Sequence, residues 1–189
     1  MRHFRTDPLP SGAQDELLAL CAMAPSVGNS QPWRFLHVVT PALRCALADH
    51  ADATSAKAAE RYDPERRAAY GALKLHGLRE APEILAVYSD EAPKEGHGLG
   101  IATMPEALRY STVLAIHTLW LAARARGIGL GWVSIVDPGP VAALLDAPAG
   151  WTLVAILCLG YPAEAADTPE LERRGWQDRG DWRDHVLER

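Results

Sequence analysis

The segment from Pro105 to Arg126 constrains the fold most strongly, because it is the longest helical candidate in the chain. Its centre, VLAIHTLWLAARA, is apolar around nearly the whole helical circumference. A helix without a polar face is stable only when other parts of the protein cover it on all sides. The sequence therefore predicts a buried central helix, around which the other elements are arranged.

Four segments rich in β-forming residues predict a sheet that packs against this helix. Ile128 to Val136 and Trp151 to Gly160 are continuous apolar runs, which are typical of central strands covered on both faces. The remaining strand candidates are Trp33 to Val39 and Glu83 to Ser89. Shorter helical patterns lie between the strands, at Gln14–Ala24, Pro41–Arg61, Pro64–Arg79 and Pro140–Leu145. This order predicts an α+β or α/β domain.

The length of 189 residues fits a single domain, and we interpret residues 163–189 as a polar C-terminal arm. The net charge of −5, with no basic run, argues against binding to nucleic acid or to an anionic membrane. No apolar run approaches the roughly 20 residues that a spanning helix needs. The three cysteines form no CxxC pair, which excludes a disulfide scaffold and favours a reducing, cytoplasmic location.

Common catalytic and metal-binding motifs are not found. The seven histidines show no paired zinc-ligand spacing, and we interpret His117, inside the apolar helix, as a hydrogen-bonded core residue. The sequence contains no GxSxG motif. Cys158 lies in a predicted buried strand, where a cysteine normally packs as a small apolar residue. The GIGLG run at residues 127–131 follows a helix and opens a strand. A dinucleotide-binding loop has the opposite order, since it follows a strand and opens a helix.

Two loops carry residues suited to a planar ligand. In PSVGNSQP, the side chains of Ser26, Asn29, Ser30 and Gln31 can hydrogen-bond the carbonyls and ring nitrogens of a heteroaromatic compound. The same residues are also typical of a well-capped turn. The glycines of GLGWVS allow a flat ligand to approach the backbone, although they are equally compatible with a glycine-rich strand start.

The C-terminal arm offers a basic patch close to Trp176. Arg173, Arg174 and Arg179 could hold a phosphate through forked hydrogen bonds. A solvated charged tail explains the same residues, because exposed charges need no partner. Both interpretations remain open from these residues alone.

Five longer segments carry a resemblance to a known family. They are APSVGNSQPWRF (24–35), LKLHGLREAP (73–82), TMPEALRYSTVLAIHTLWLAARARGIGLGWVSIVDP (103–138), LCLGYP (157–162) and PELERRGWQDR (169–179). Together they resemble the nitroreductase superfamily and, within it, the BluB branch of 5,6-dimethylbenzimidazole synthases. The first segment indicates only the superfamily, whereas its combination with GLGWVS and PELxxxGW is specific to the branch. The resemblance covers nearly the whole chain from Met1 to Arg179.

The resemblance implies an FMN-binding α+β fold with a central mixed sheet, a buried central helix and a homodimer with two flavin sites at the subunit interface. It also implies which residues contact the cofactor. The residues implied to contact the flavin cofactor are Pro25, Ser26, Asn29, Gln31, Leu75, Gly131, Trp132 and Ser134. Arg2 and Arg179 are the implied phosphate-binding residues.

The family reaction implied for the chain uses reduced FMN as both cofactor and substrate. Dioxygen is the co-substrate, as in a flavin-dependent monooxygenase. The flavin is fragmented to 5,6-dimethylbenzimidazole, the lower ligand of vitamin B12, and erythrose 4-phosphate. Ser134 matches a polar residue implicated in this chemistry, and a hydroxyl near flavin N5 and C4a can relay protons. The second implicated residue is an aspartate in an Arg-Arg-Asp run; the resemblance places that run, and the helix before it, upstream of Met1.

Two other functions remain compatible with the sequence. One is an NAD(P)H-dependent nitroreductase or flavin reductase, in which FMN survives and transfers hydride. The other is an FMN-binding protein without turnover, which the upstream position of the aspartate leaves open. If the chain is a 5,6-dimethylbenzimidazole synthase, a separate flavin reductase could supply the reduced FMN.

Overall fold

The computed structural model describes residues 1–164 and 166–189, and its centre is a four-stranded sheet with helices on both faces. The strands are β1 (Trp33–His37), β2 (Glu83–Asp90), β3 (Gly129–Val133) and β4 (Trp151–Gly160). The helices are α1 (Ala13–Cys21), α2 (Pro41–Ala59), α3 (Pro64–Gly71), α4 (Ala107–Ala125), α5 (Pro138–Leu144) and α6 (Glu170–Arg173). Short 3₁₀ turns occupy Val27–Asn29, Glu95–Gly98 and Trp182–His185.

The strand order is β1-β2-β4-β3, and each of the three pairings is antiparallel. Strands β2 and β3 run in the same direction, but β4 lies between them and separates them. The α+β class predicted from the sequence is therefore confirmed. The predicted mixed sheet is wrong for the described strands, because the insertion of β4 makes every neighbouring pair antiparallel.

Strand β3 lies at an edge of the sheet, although its apolar sequence predicted a central strand. The start of the chain covers part of this edge. The amino group of Met1 donates a hydrogen bond to the carbonyl oxygen of Leu130 at 3.3 Å. The buried Phe4 forms an isolated bridge with Pro162. An edge strand covered in this way has the same apolar composition as a central one.

Both faces of the sheet are buried, as the sequence predicted for the central strands. Along β2, Leu85 and Val87 pack against α1 and α4, whereas Ala86 and Tyr88 face α2 and α5. Strand β4 has the predicted bounds and is fully buried over its second half. The layers on either side hold the ends of β1 and β3 in place, and the candidate site residues lie at these ends.

Helix α4 is buried on one face only. Ala115, Ile116 and Leu119 are completely inaccessible, but Tyr110 and Leu121 are 58% and 59% exposed. We define the outer face of α4 by its exposed residues Tyr110, Val113, Leu114, His117, Trp120 and Leu121. The predictions of an entirely buried helix and of a core His117 are therefore wrong for a single chain. Helix α4 is apolar on both faces, but its own chain covers only one of them.

Helix α3 ends at Gly71, eight residues before the predicted end at Arg79. Asp63 caps its start by accepting a hydrogen bond from the backbone amide of Arg66 at 2.8 Å. Glycine is a poor helix former, and the chain continues as an irregular segment over residues 72–82. This segment carries Leu75 to the candidate site.

Candidate active site

A cavity of about 470 Å³ opens beside the end of β3. We call it the Ser134 cavity. Segments of α2, α3, β3 and the C-terminal arm enclose it, and its volume lies within the range of ordinary small-molecule sites. Its walls are formed by Arg2, Thr54, Ala58, Arg61, Tyr62, Tyr70, Leu73, Leu75, Trp132, Ser134, Ile135, Val136, Leu171 and Trp176.

Four of the residues predicted from the sequence meet in this cavity: Arg2, Leu75, Trp132 and Ser134. Ser134 follows Val133, the last residue of β3, and it is exposed. The prediction that Ser134 lies inside a buried strand is therefore wrong, because the strand ends one residue earlier. Its position leaves the hydroxyl accessible to a bound molecule.

Three aromatic side chains form one wall of the cavity. The ring centroid of Tyr62 lies 5.2 Å from that of Tyr70 and 5.7 Å from that of Trp176, the latter in an edge-to-face arrangement. The guanidinium of Arg66 lies 4.2 Å from the centre of the Trp176 ring. Such contacts stabilise the packing of the arm on α3. The sequence pattern indicated Trp176 only as a neighbour of the basic patch and gave no signal for the two tyrosines.

An ionic cluster joins the start of the chain to the C-terminal arm. Glu170 accepts a hydrogen bond from His3 Nε2 at 2.8 Å, and it lies 3.7 Å from the Arg2 guanidinium. Burial acts to raise the pKa of Glu170, but the His3 hydrogen bond and the charges of Arg2 and Arg174 outweigh it and lower the pKa. Glu170 is therefore ionised at neutral pH and pairs with Arg2 beside the cavity. Arg179 is exposed and does not line the cavity within one chain.

A second cavity, of about 480 Å³, lies beside the turn that precedes β1. We call it the Gln31 cavity. It is an open groove between the Val27–Asn29 turn and the Glu95–Gly98 turn. Its lining consists of Gly28, Asn29, Gln31, Glu95, Gly96, His97 and Leu99.

Internal hydrogen bonds fix the turn that carries Asn29 and Gln31. The Ser26 hydroxyl accepts a hydrogen bond from the backbone amide of Gln31 at 3.0 Å. The amide of Val27 donates to the Ser111 hydroxyl on α4, also at 3.0 Å. Ser26 therefore stabilises the turn, as the structural interpretation of PSVGNSQP predicted. The exposed side chains of Asn29 and Gln31 line the groove.

The two cavities lie at opposite edges of the sheet. The Gln31 cavity precedes β1 and the Ser134 cavity follows β3, and these are the two edge strands. Three strand spacings separate the edges, which amounts to roughly 14 Å. The two cavities share no lining residue. Within one chain, the structure thus does not bring the predicted residues of the turn together with Ser134.

Gly131, another predicted ligand-binding residue, is buried and packs against the start of the chain. A Cβ atom at this position would overlap the carbonyl oxygen of Met1. Glycine is therefore required at position 131 because the backbone of Met1 lies so close to it.

The thiols of the chain differ sharply in exposure. Burial raises the pKa of Cys21 and of Cys158 to about 12, whereas Cys45 is exposed. Because the thiolate is the reactive form, we expect one thiol to react rapidly with Ellman's reagent in the native protein and three after denaturation. A Cys45→Ser variant should have no fast thiol. Rapid reaction of a second thiol in the native protein would contradict this assignment.

Within residues 1–164 and 166–189, no cluster of three His, Cys, Asp or Glu side chains is arranged to hold a metal ion. None of the helices in these residues has the length and apolar character needed to span a membrane.

Comparison with known proteins gives a consistent result. The model of the Nitroreductase family matches residues 1–161. The 5,6-dimethylbenzimidazole synthase of Rhodospirillum rubrum is 58% identical over 179 residues, which are 95% of this chain and 85% of that protein. A 5,6-dimethylbenzimidazole synthase of Rhodobacter capsulatus is 51% identical over 178 residues, which are 94% of this chain and 86% of that protein. The crystal structure of oxidised iodotyrosine deiodinase bound to FMN and 3-iodo-L-tyrosine matches with a TM-score of 0.75 and 24% identity, covering 100% of this chain and 91% of that one.

Proposed function

The chain belongs to the nitroreductase family, and we propose that within it the chain is a cytoplasmic 5,6-dimethylbenzimidazole synthase. In the proposed reaction, reduced FMN is fragmented by dioxygen to 5,6-dimethylbenzimidazole and erythrose 4-phosphate. The observation that carries the proposal is the identity of 58% and 51%, over nearly the whole chain, to two proteins of that name.

The Ser134 cavity has the features that FMN requires. A flat ring system needs apolar walls, and Leu75, Trp132 and Tyr62 provide them. The phosphate needs a cation, and the Arg2 guanidinium lies in the same cavity. Bound in its reduced form, FMN supplies the electrons that dioxygen accepts.

The chain's own residues then have separate roles in this proposal. Arg2 binds the phosphate from within the cavity, and Arg179, which lies outside the cavity of a single chain, reaches the phosphate from the C-terminal arm. The walls formed by Leu75 and Trp132 exclude water from the ring. The hydroxyl of Ser134 accepts and returns a proton at Oγ, which a positioned side chain does far better than bulk water.

We propose that a second copy of the chain supplies Pro25, Ser26, Asn29 and Gln31 to the site. The turn that carries these residues is tied to α4 through the Val27–Ser111 hydrogen bond. In this proposal, a partner that covers the outer face of α4 also meets the Gln31 cavity. A contiguous apolar face of this kind normally marks an interface. The homodimer would thus unite the two cavities that one chain holds apart.

We expect light scattering to give a dimer at micromolar concentration and Leu121→Glu to give a monomer. Burying an unpaired carboxylate costs several kcal/mol, which corresponds to at least about a hundredfold weaker association. Val39→Glu is the control, because Val39 is also exposed and apolar but lies outside α4. A stable wild-type monomer would contradict the interfacial site.

The function itself is tested by mixing the protein with reduced FMN in air, without nicotinamide, and identifying the products by mass spectrometry. Formation of 5,6-dimethylbenzimidazole supports the proposal. Intact flavin together with NAD(P)H-driven reduction of a nitroaromatic compound would identify a nitroreductase instead. Intact, tightly bound flavin without either activity would identify a binding protein. The assay is run on the 189-residue chain and on the same chain preceded by the family's Arg-Arg-Asp run.

Arg179→Ala and Arg2→Ala are each expected to weaken FMN binding roughly ten- to a hundredfold, because a charge-assisted hydrogen bond contributes about 1.5–3 kcal/mol. The dissociation constant is measured from the quenching of flavin fluorescence. Arg183→Ala is the control, since Arg183 lies in the same arm but is paired with Asp181. An unchanged dissociation constant for Arg179→Ala would mean that this part of the arm is only solvated.

A further inference from the structure

Strained backbone is concentrated at the Gln31 cavity. In the described residues, four side-chain-bearing residues have a positive φ: Asn29 at 55°, Gln31 at 47°, His97 at 49° and Asp146 at 50°. The first three line this one cavity. The left-handed region costs about 1 kcal/mol or more for most side-chain-bearing residues and less for asparagine, and it persists at Gln31 and His97 only where the surrounding structure enforces it. Strain of this kind clusters at functional sites.

Close backbone contacts lock the two turns of this cavity together. A Cβ atom at Gly96 would lie 2.9 Å from the carbonyl oxygen of Gly28 and 2.9 Å from Cβ of Ser30. A Cβ atom at Gly28 would lie 2.8 Å from the carbonyl oxygen of Leu99. Each turn therefore requires glycine where the other approaches it. The position of His97 is thus set by the same packing that sets Asn29 and Gln31.

The side chain of His97 is exposed, and no hydrogen bond or ion pair engages its ring in the part of the chain that the structure describes. Beside it, the apolar side chain of Leu99 is 71% exposed at the rim of the groove. Both side chains are thus available to a partner. An imidazole that shares a groove with two amide side chains is suited to hydrogen-bond the carbonyl oxygens and ring nitrogens of a heteroaromatic ligand.

We infer that His97 is a further flavin-binding residue, which donates a hydrogen bond across the dimer interface to the flavin held in the Ser134 cavity of a second copy. Asn29 and Gln31 bind the same ring from the same groove. Leu99 packs against the second copy and closes the groove to water. This inference rests on the proposed function and its homodimer, and it adds the Glu95–Gly98 turn to the site.

The test is the affinity for FMN of His97→Gly and His97→Asn. Glycine and asparagine both tolerate a positive φ, so neither change should disturb the turn. Loss of one hydrogen bond is expected to raise the dissociation constant of His97→Gly about three- to tenfold. The amide of His97→Asn should restore part of that loss. The absorption spectrum of bound FMN should shift in His97→Gly, since a donor to the ring is removed.

Lys94→Gly is the matched control, because it adds a glycine to the same loop and leaves the imidazole in place. Wild-type affinity for Lys94→Gly, with weakened binding for His97→Gly, supports the inference, provided that light scattering shows both variants to be dimers. An unchanged dissociation constant for His97→Gly, or an equal loss for Lys94→Gly, would overturn it. The product assay on the wild type is read separately, so an absence of benzimidazole with a clear effect of His97→Gly would refute the proposed function alone.

Discussion

Replacing Ser134 by alanine is expected to lower the rate of 5,6-dimethylbenzimidazole formation about 10²–10⁴-fold, with little change in FMN affinity. Removal of a positioned proton-transfer group has an effect of this size. Loss of a structural hydrogen bond would instead cost about 1 kcal/mol of stability and little rate. The structure favours the larger effect, because Ser134 is exposed at the cavity just beyond β3 instead of lying within a strand.

The measurement is a single-turnover assay of product against time, on the 189-residue chain and on the chain preceded by the Arg-Arg-Asp run. Ser55→Ala is the control, because the Ser55 hydroxyl is already engaged with the hydroxyl of Tyr70 at 3.2 Å. It should lose stability but retain most of the rate. Equal rates for Ser134→Ala and the wild type would exclude a catalytic role for the Ser134 hydroxyl.

The sequence predicted the sheet better than it predicted what covers the sheet. A continuous apolar run predicts a buried strand directly, and β4 has the predicted bounds of Trp151–Gly160. Burial of β3 was equally evident, but its edge position was not, since the cover comes from Met1, far away in sequence. The outer face of α4 shows the same limitation. Hydrophobic periodicity indicates that a helix face is apolar. It does not indicate whether the same chain or a second copy covers that face, because this depends on how the elements pack in three dimensions.

The candidate site was predicted in part, for a similar reason. Arg2, Leu75, Trp132 and Ser134 were expected at the ligand and do meet in one cavity. Tyr62 and Tyr70 were not predicted, because Tyr70 lies within the helical pattern Pro64–Arg79 and Tyr62 lies between that pattern and the preceding one. Their role as a wall depends on the docking of Trp176 from the C-terminal arm. Local patterns contain no information on a contact between residues so distant in sequence.

Gly131→Ala is expected to have the second large effect, on both stability and FMN binding. The added methyl group would overlap the carbonyl oxygen of Met1, so the backbone at the start of the chain must shift. Overpacking of this kind costs about 1–3 kcal/mol. Because Arg2 follows Met1 directly, the shift should also remove Arg2 from the cavity and weaken FMN binding roughly ten- to a hundredfold.

Gly129→Ala is a closely matched control, since it adds the same methyl group to the same side of β3, two residues earlier. There the nearest atom is Cγ of the Met1 side chain, at 3.0 Å, which can rotate away. We expect Gly129→Ala to keep FMN affinity within about twofold and to lose less than about 1 kcal/mol in denaturant unfolding. If the two variants lose equal stability and Gly131→Ala retains wild-type FMN affinity, then the packing of Met1 on β3 does not position Arg2. Arg2 would then be placed by its ion pair with Glu170, and Glu170→Gln should weaken FMN binding instead.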